Sequence, residues 1–263
     1  MTTATSSNAI QNLDSVQGLV DDIIQGIEQK TNDLFNGIND VLSWVPWPLS
    51  DLISGIEDDI KDFEQKMQEF WDQMNEFLHE RGSATALTQA AQVWLQQVSV
   101  PAGNLAGKLS PNILQAEDDW SGDAANAYKN TIPAQDSALA AIQKIANQIN
   151  TSLSNIASAI GSFWTAIYIA LGVLAVGLVG AIAACCTVVG IPAGIAAVVG
   201  VVLTVGGAIT AAISAVTSIV NSAKAEQVSL TQQLSDNSNF PNGQWPVSTS
   251  DMSDDSGGWQ PNS

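Results

Sequence analysis

A chain of 263 residues is long enough to bury one large core or two modest ones, so size alone leaves the fold class open. Its 26 acidic residues against 8 Lys plus Arg give a formal charge of -18, which repels polyphosphate backbones and argues against nucleic acid as a partner. That charge is unevenly spread: acids crowd the first third and the end, while no Asp, Glu, Lys or Arg stands between Lys144 and Lys224.

The opening Met-Thr-Thr-Ala-Thr-Ser-Ser lacks the basic start, apolar run and small-residue cleavage site of a secretory signal, so export by the general secretory route is not expected. From Ile10 to Trp44, Leu13, Val16, Val20, Ile23, Ile27, Leu34, Ile38 and Val41 recur at helical intervals among acids and amides, which predicts one amphipathic helix. Val45-Pro46-Trp47-Pro48 ends it, because proline lacks a backbone donor and disfavours helical geometry in the residue before it. A second helix follows Ser50, where Ile53, Ile56, Ile60, Phe63, Met67, Phe70, Met74 and Phe77 alternate steps of three and four in a heptad seam. Two such helices joined by a short turn fold back on each other and leave stripe edges for a third partner, with Gly82 as the stop. Residues 1–82 thus read as an acidic helical hairpin.

Ser83 to Val98 predicts another helix, with Leu87, Ala91, Trp94, Leu95 and Val98 on its apolar side. Pro101, Gly103 and Gly107 then predict a loop or broken helix over Ser99 to Asn112. A further amphipathic pattern starts near Pro133 and runs through Leu139, Ile142, Ala146, Ile149, Leu153, Ile156 and Ile160 into the apolar region without interruption. There Phe163–Thr187 and Ala193–Val216 are each long enough to span hydrocarbon, which needs about 20 apolar residues. Gly190-Ile191-Pro192 separates them as a turn. The glycines at 172, 177, 180, 190, 194, 200, 206 and 207 reduce side-chain bulk between helices, and small residues let membrane helices approach closely. Cys185 and Cys186 are adjacent on this stretch, where neighbours on one helix point in different directions and rarely bridge. Val220, Ala223, Leu230 and Leu234 restore an amphipathic pattern over 217–234, so the legs of the hairpin extend below its apolar tip as an antiparallel pair. Residues 235–263, rich in Asp, Asn, Ser, Gly and Pro with isolated Trp245 and Trp259, read as a disordered polar tail.

Chemistry-bearing residues are few. His79 is the sole histidine and stands on a charged helix, where a surface residue is the simpler reading than a base. Glu57-Asp58-Asp59 and Asp118-Asp119 read as a solvated helix face and a helix end rather than cation sites. No P-loop or dinucleotide fingerprint is present, so neither an enzyme nor a cofactor or metal site is expected.

Between the two helical hairpins, Glu117-Asp118-Asp119-Trp120-Ser121-Gly122-Asp123-Ala124-Ala125-Asn126-Ala127-Tyr128 runs from a helix end through a glycine turn into an Ala-rich helix start. Gly122 permits backbone angles a side chain would forbid, Trp120 can fill the junction of two antiparallel helices, and Asp123 is placed to cap the next helix. This passage resembles the WXG-motif superfamily, helical hairpins exported by the type VII (ESX) machinery of actinobacteria and some other Gram-positive bacteria. The resemblance covers roughly Ser83 to Ile160, with residues 83–162 as the WXG-like hairpin and Trp120, Gly122, Asp123 and Tyr128 as its turn. It implies export as a folded helical pair and a helical WXG-type partner or the secretion machinery itself. The family's Tyr-x-x-x-Asp or Glu export signal does not match: Tyr128 is followed four residues on by Ile132 and Tyr168 by Gly172. The signal then comes from a partner protein, or the chain is not itself an export substrate.

The expected fold is all-α, an elongated bundle of antiparallel amphipathic helices with a two-helix apolar hairpin, residues 163–216, at the tip. In architecture alone that hairpin resembles those of helical pore-forming toxins, which travel as soluble bundles with the tip sheathed by amphipathic helices. The expected function is a secreted or surface protein, not an enzyme, that inserts the hairpin into a lipid bilayer as a possible pore-forming homo-oligomer. Phe163, Trp164, Gly172, Gly177, Gly180, Gly190, Pro192, Gly194, Gly200 and Gly206 mark the hairpin. Two alternatives stay open: a protein anchored in the plasma membrane of its producer that displays acidic helices to a partner, and a wholly soluble bundle.

Overall fold

The structure, a computed structural model, describes residues 3–43, 50–79, 81–109 and 122–247. Every regular element among them is helical: α1 (Thr3–Ser43), α2 (Ser50–His79), α3 (Ala84–Val93), a π-helical segment (Trp94–Ser99), α4 (Val100–Ala106), α5 (Asp123–Ala184), α6 (Ile191–Leu234) and a 3-10 turn (Pro241–Gly243). The fold is all-α, as the periodicity of the apolar residues predicts. The expected Val45–Pro48 turn, Glu117–Ser121 with Trp120, and the tail from 248 onward with Trp259 lie outside the described residues.

The chain divides into two compact units, Met1–Thr85 with Ala157–Ser218, and Ala86–Ile156 with Ile219–Ser263. Within the first unit, α1 and α2 fold with the apolar parts of α5 and α6. The first unit is a four-helix bundle, and its core shows why. On α2, Ile56, Phe63, Met67, Phe70 and Met74 are buried, with Ile60 and Phe77 half-buried, so the heptad seam faces inward from Ile56 to Phe77. Val20, Ile27, Leu34 and Ile38 do the same for α1. Trp164, Ile167, Leu171, Leu174, Leu178 and Ala181 on α5, and Ile191, Ile195, Val198, Val202, Val205 and Ile209 on α6, keep the same alternation and join that core. Each large side chain buried there contributes about 1.5–3 kcal/mol. Ring pairs Phe35–Phe63 at 5.6 Å and Phe77–Phe163 at 5.7 Å tie α1 to α2 and α2 to α5.

The second unit keeps most of its sequence reading and departs from it in the tail. Of the loop or broken helix expected over Ser99 to Asn112, the broken helix is what forms: the chain stays helical to Ala106 through a π-helical segment, with the Val100 N–H bonded five residues back to the Leu95 carbonyl, and Pro101 falls in the first turn after it. A missing N–H costs least there. Trp94, expected on the apolar side, is 38% exposed, while Ala91, Ser99 and Ala102 are buried. Ser99 donates its hydroxyl to Asn147 Oδ1 at 2.7 Å, which satisfies the buried polar group.

Further on, α5 starts at Asp123, at the Ala-rich helix start expected after Gly122, and the amphipathic pattern from Pro133 continues it, with Pro133 inside the helix and exposed. Buried Ala125 and Ile132 before it and Ala138 and Leu139 after it hold the helix through the lost hydrogen bond. The departure is the tail, ordered rather than disordered from 235 to 247. Phe240 is buried against Ala138 and Ile145, with Leu230 beside them, and the Pro246 carbonyl accepts a 3.0 Å bond from Gln135 Nε2. A single aromatic anchor offsets the ordering entropy that composition alone does not.

Candidate functional site at the apolar hairpin

At 1.5 Å per residue, Phe163–Ala184 of α5 extends about 33 Å and Ile191–Val216 of α6 about 39 Å, against roughly 30 Å of hydrocarbon. Both helices are long and apolar enough to cross a membrane. Only 33% of the most apolar stretch of α5 and 28% of that of α6 is buried. Part of the remainder is half-buried against the core and part faces outward: Ile169 is 59% exposed, Val173 49%, Val176 74%, Val179 48% and Leu203 58%, and Ala193, Ala197, Gly200 and Ala208 are exposed as well. No Asp, Glu, Lys or Arg interrupts these exposed apolar residues.

Every hydroxyl of serine or threonine on these two stretches has a local partner. Thr165 donates to the Gly161 carbonyl, Thr204 to Gly200, Thr210 to Gly206 and Ser214 to Thr210, at 2.8–3.0 Å. Each bond runs to the carbonyl four residues back, so these side chains ask nothing of water.

The helices are joined by residues 185–190, not by the expected Gly190-Ile191-Pro192. Ile191 and Pro192 already open α6, because proline is well suited to the first turn of a helix, where its missing N–H would be unpaired anyway. Within the turn, the Thr187 carbonyl accepts from Gly190 N at 3.0 Å and Ile191 N at 3.2 Å, and Gly190 N also lies 3.2 Å from Thr187 Oγ1. Cys185 is buried and Cys186 exposed, both as free thiols just past the helix end. Val189 stands 85% exposed at the turn.

The glycines divide by role. A Cβ on Gly190 would run into the Ala184 carbonyl oxygen, one on Gly194 would lie 2.7 Å from Cys185 Sγ and 3.1 Å from the Ala181 carbonyl, and one on Gly177 would meet Val201 at 3.0 Å. These three allow the two helices to close on each other. Gly172, Gly180, Gly200, Gly206 and Gly207 have open space and serve no close approach within the fold. Phe163 and Trp164 are buried in the four-helix core and belong to its inner face.

Of the expected WXG turn, Gly122 adopts φ +109°, a conformation that strongly favours glycine, and its carbonyl accepts the first helical bond of α5 from Asn126 N at 3.0 Å. Gly122 therefore occupies the capping position expected of Asp123, which begins the helix itself. Tyr128 is half-buried one turn further on. Glu57, Asp58 and Asp59 are exposed, with Asp58 paired to Lys61 at 3.4 Å; Asp118-Asp119 and the His79 side chain lie outside the described residues.

Elsewhere on the first unit, a groove of 530 Å³ between α1 and α2 is lined by Glu28, Phe35, Glu64, Met67 and Trp71 among others. Sequence reasoning missed the outward stripe of Ile169, Val173 and Val176, because on a helix apolar all round no periodicity separates the covered side from the bare one. Comparison with protein families, curated proteins and solved structures finds no match to this chain.

Proposed function

We propose that the protein acts by inserting the Phe163–Val216 hairpin into a lipid bilayer, and that it is a type VII-associated exported or surface factor without catalytic activity. The observation that carries the membrane reading is the bare outer face of α5 and α6, apolar, charge-free and with its hydroxyls bonded internally. In this reading α1 and α2 sheath the other face during transit, and inserted copies associate, forming a pore. The type VII assignment rests on Trp120-Ser121-Gly122 and draws support from the positive φ of Gly122 at the start of a long helix.

The test starts with fractionation of the native producer into medium, cytosol and membrane. Soluble protein from the medium is then floated with liposomes and assayed for release of an entrapped dye. Flotation with release is the expected result; soluble protein that never floats returns the chain to a water-soluble bundle.

A second reading, a protein anchored in its producer's membrane with acidic helices displayed to a partner, is favoured by the groove between α1 and α2. Its two glutamates beside Phe35 and Trp71 suit a cationic side chain. Recovery of all the protein in the producer's membrane from synthesis onward would select this reading.

A further inference from the structure

If the hairpin enters a bilayer, α1 and α2 cannot follow it into hydrocarbon, because acidic side chains on both would lose their water. They must leave the inner face of α5 and α6, and the contacts that hold them there set when this happens. Many are apolar and distributed along the helices; a polar, local one is built on a single residue.

Arg81, the only arginine of the chain, follows α2. Its guanidinium grips Asp21 of α1 through both carboxylate oxygens, Nη2 to Oδ1 at 2.6 Å and Nη1 to Oδ2 at 2.8 Å. Its Nε donates to the Leu78 carbonyl at 3.1 Å, which fixes the fork relative to the end of α2. The same guanidinium lies 5.7 Å from the ring centre of Trp164 on α5, and the indole N–H returns a 3.1 Å bond to the Arg81 carbonyl. Gly82 next to it turns with φ +61°, and its carbonyl accepts from Gln17 Nε2 of α1 at 3.5 Å. One side chain thus joins α1, the end of α2 and α5, where α5 enters its apolar stretch. Two-pronged arginine–carboxylate pairing is directional, and a cation over an indole adds to it, so the contact breaks as a unit. The hydrogen bonds from Arg81 hold the Asp21 carboxyl below its ordinary value of 3.8, and the pair stays ionised near neutrality.

We propose that Asp21, Arg81 and Trp164 form an autoinhibitory clasp that keeps α1 and α2 seated on the hairpin and sets the rate of membrane insertion. The proposal rests on the insertion reading above and adds its control.

The test follows dye release and flotation over time for the full chain with vesicles of phosphatidylcholine and phosphatidylglycerol, alongside hydrogen exchange of α1 in solution. Asp21→Asn and Arg81→Gln remove the charge pairing from either side and are expected to speed insertion by up to about fivefold and to raise exchange in α1. Asp21→Glu retains the carboxylate and is expected to insert at the wild-type rate. Wild-type rates in both Asp21→Asn and Arg81→Gln would overturn the clasp while leaving insertion intact, as would Asp21→Glu inserting as fast as Asp21→Asn. Failure of the wild type and all three variants to float, with native helix content retained, would overturn the insertion reading and the clasp with it.

Discussion

At the scale of single residues, the glycines separate backbone needs from packing needs. Gly122 holds φ +109° at the start of α5, and a β-branched side chain there strains the backbone by about 1–3 kcal/mol. Gly122→Val is therefore expected to lower the urea midpoint of the folded chain without changing the hairpin's affinity for lipid; an unchanged midpoint and unchanged export would remove Gly122 from the organisation of the helical body. Gly194 and Gly206 both lie in α6 but differ in surroundings. At Gly194 a methyl group would meet Cys185 Sγ and the Ala181 carbonyl, so Gly194→Ala is expected to cost about 1–3 kcal/mol through overpacking. Gly206 has nothing within 4 Å, so Gly206→Ala should stabilise by roughly 0.5–1 kcal/mol, the helix-interior advantage of alanine. Chemical denaturation of the two variants side by side checks the sign of each.

At the scale of elements, legibility followed repetition. The seam of α2 and the stripe of α1 restate one orientation every three or four residues, so neither needed the structure to be recognised. Single-residue determinants were legible only in part: Gly122 stood out as a turn glycine and Pro101 as a break in a helix, whereas Phe240, which orders a segment of otherwise polar composition, left no such trace. That segment has a second support, since Asp236 Oδ1 accepts from Ser238 N at 2.9 Å and from its hydroxyl at 2.7 Å. Those bonds, the backbone one first, hold the Asp236 carboxyl below its ordinary 3.8. A depressed carboxylate stabilises the folded form above its ordinary value and loses that contribution as pH falls through the lowered one. Hydrogen exchange over 235–247 should accordingly be constant from pH 5 to 8 once corrected for intrinsic rates, with loosening only below about 3.8. Phe240→Ala should loosen the same segment at every pH, at a cost of about 1.5–3 kcal/mol for the lost burial. Equal protection in the variant and the parent would mean that the polar contacts hold the segment without the ring.

At the scale of the molecule, the open question in the sequence was which side of the hairpin is covered. Between Phe163 and Val216 every face reads as apolar, so hydropathy locates the spans and is silent on their orientation. The first unit answers through its core: Leu171, Leu174 and Leu178 point inward, and Ile169, Val173 and Val176 point out. This arrangement separates two demands that usually coincide, because a residue on the bare face matters little to the folded chain in water and much to a hairpin surrounded by lipid. Val176 is 74% exposed, so Val176→Lys should change solution stability by no more than about 0.5 kcal/mol. A lysine near the middle of a spanning helix costs roughly 2.5–3.5 kcal/mol in a bilayer, which corresponds to about a 100-fold weaker partition. Leu174→Ala, on the covered face, should do the reverse, lowering solution stability by about 2–5 kcal/mol while changing lipid affinity far less. Measuring urea midpoints and vesicle partition for both variants places each on two axes. Loss of partition in Val176→Lys at an unchanged midpoint is the pattern that an inserting hairpin requires. If that variant partitions like the parent, the bare face does not meet lipid, and its apolar surface has to be covered by protein instead.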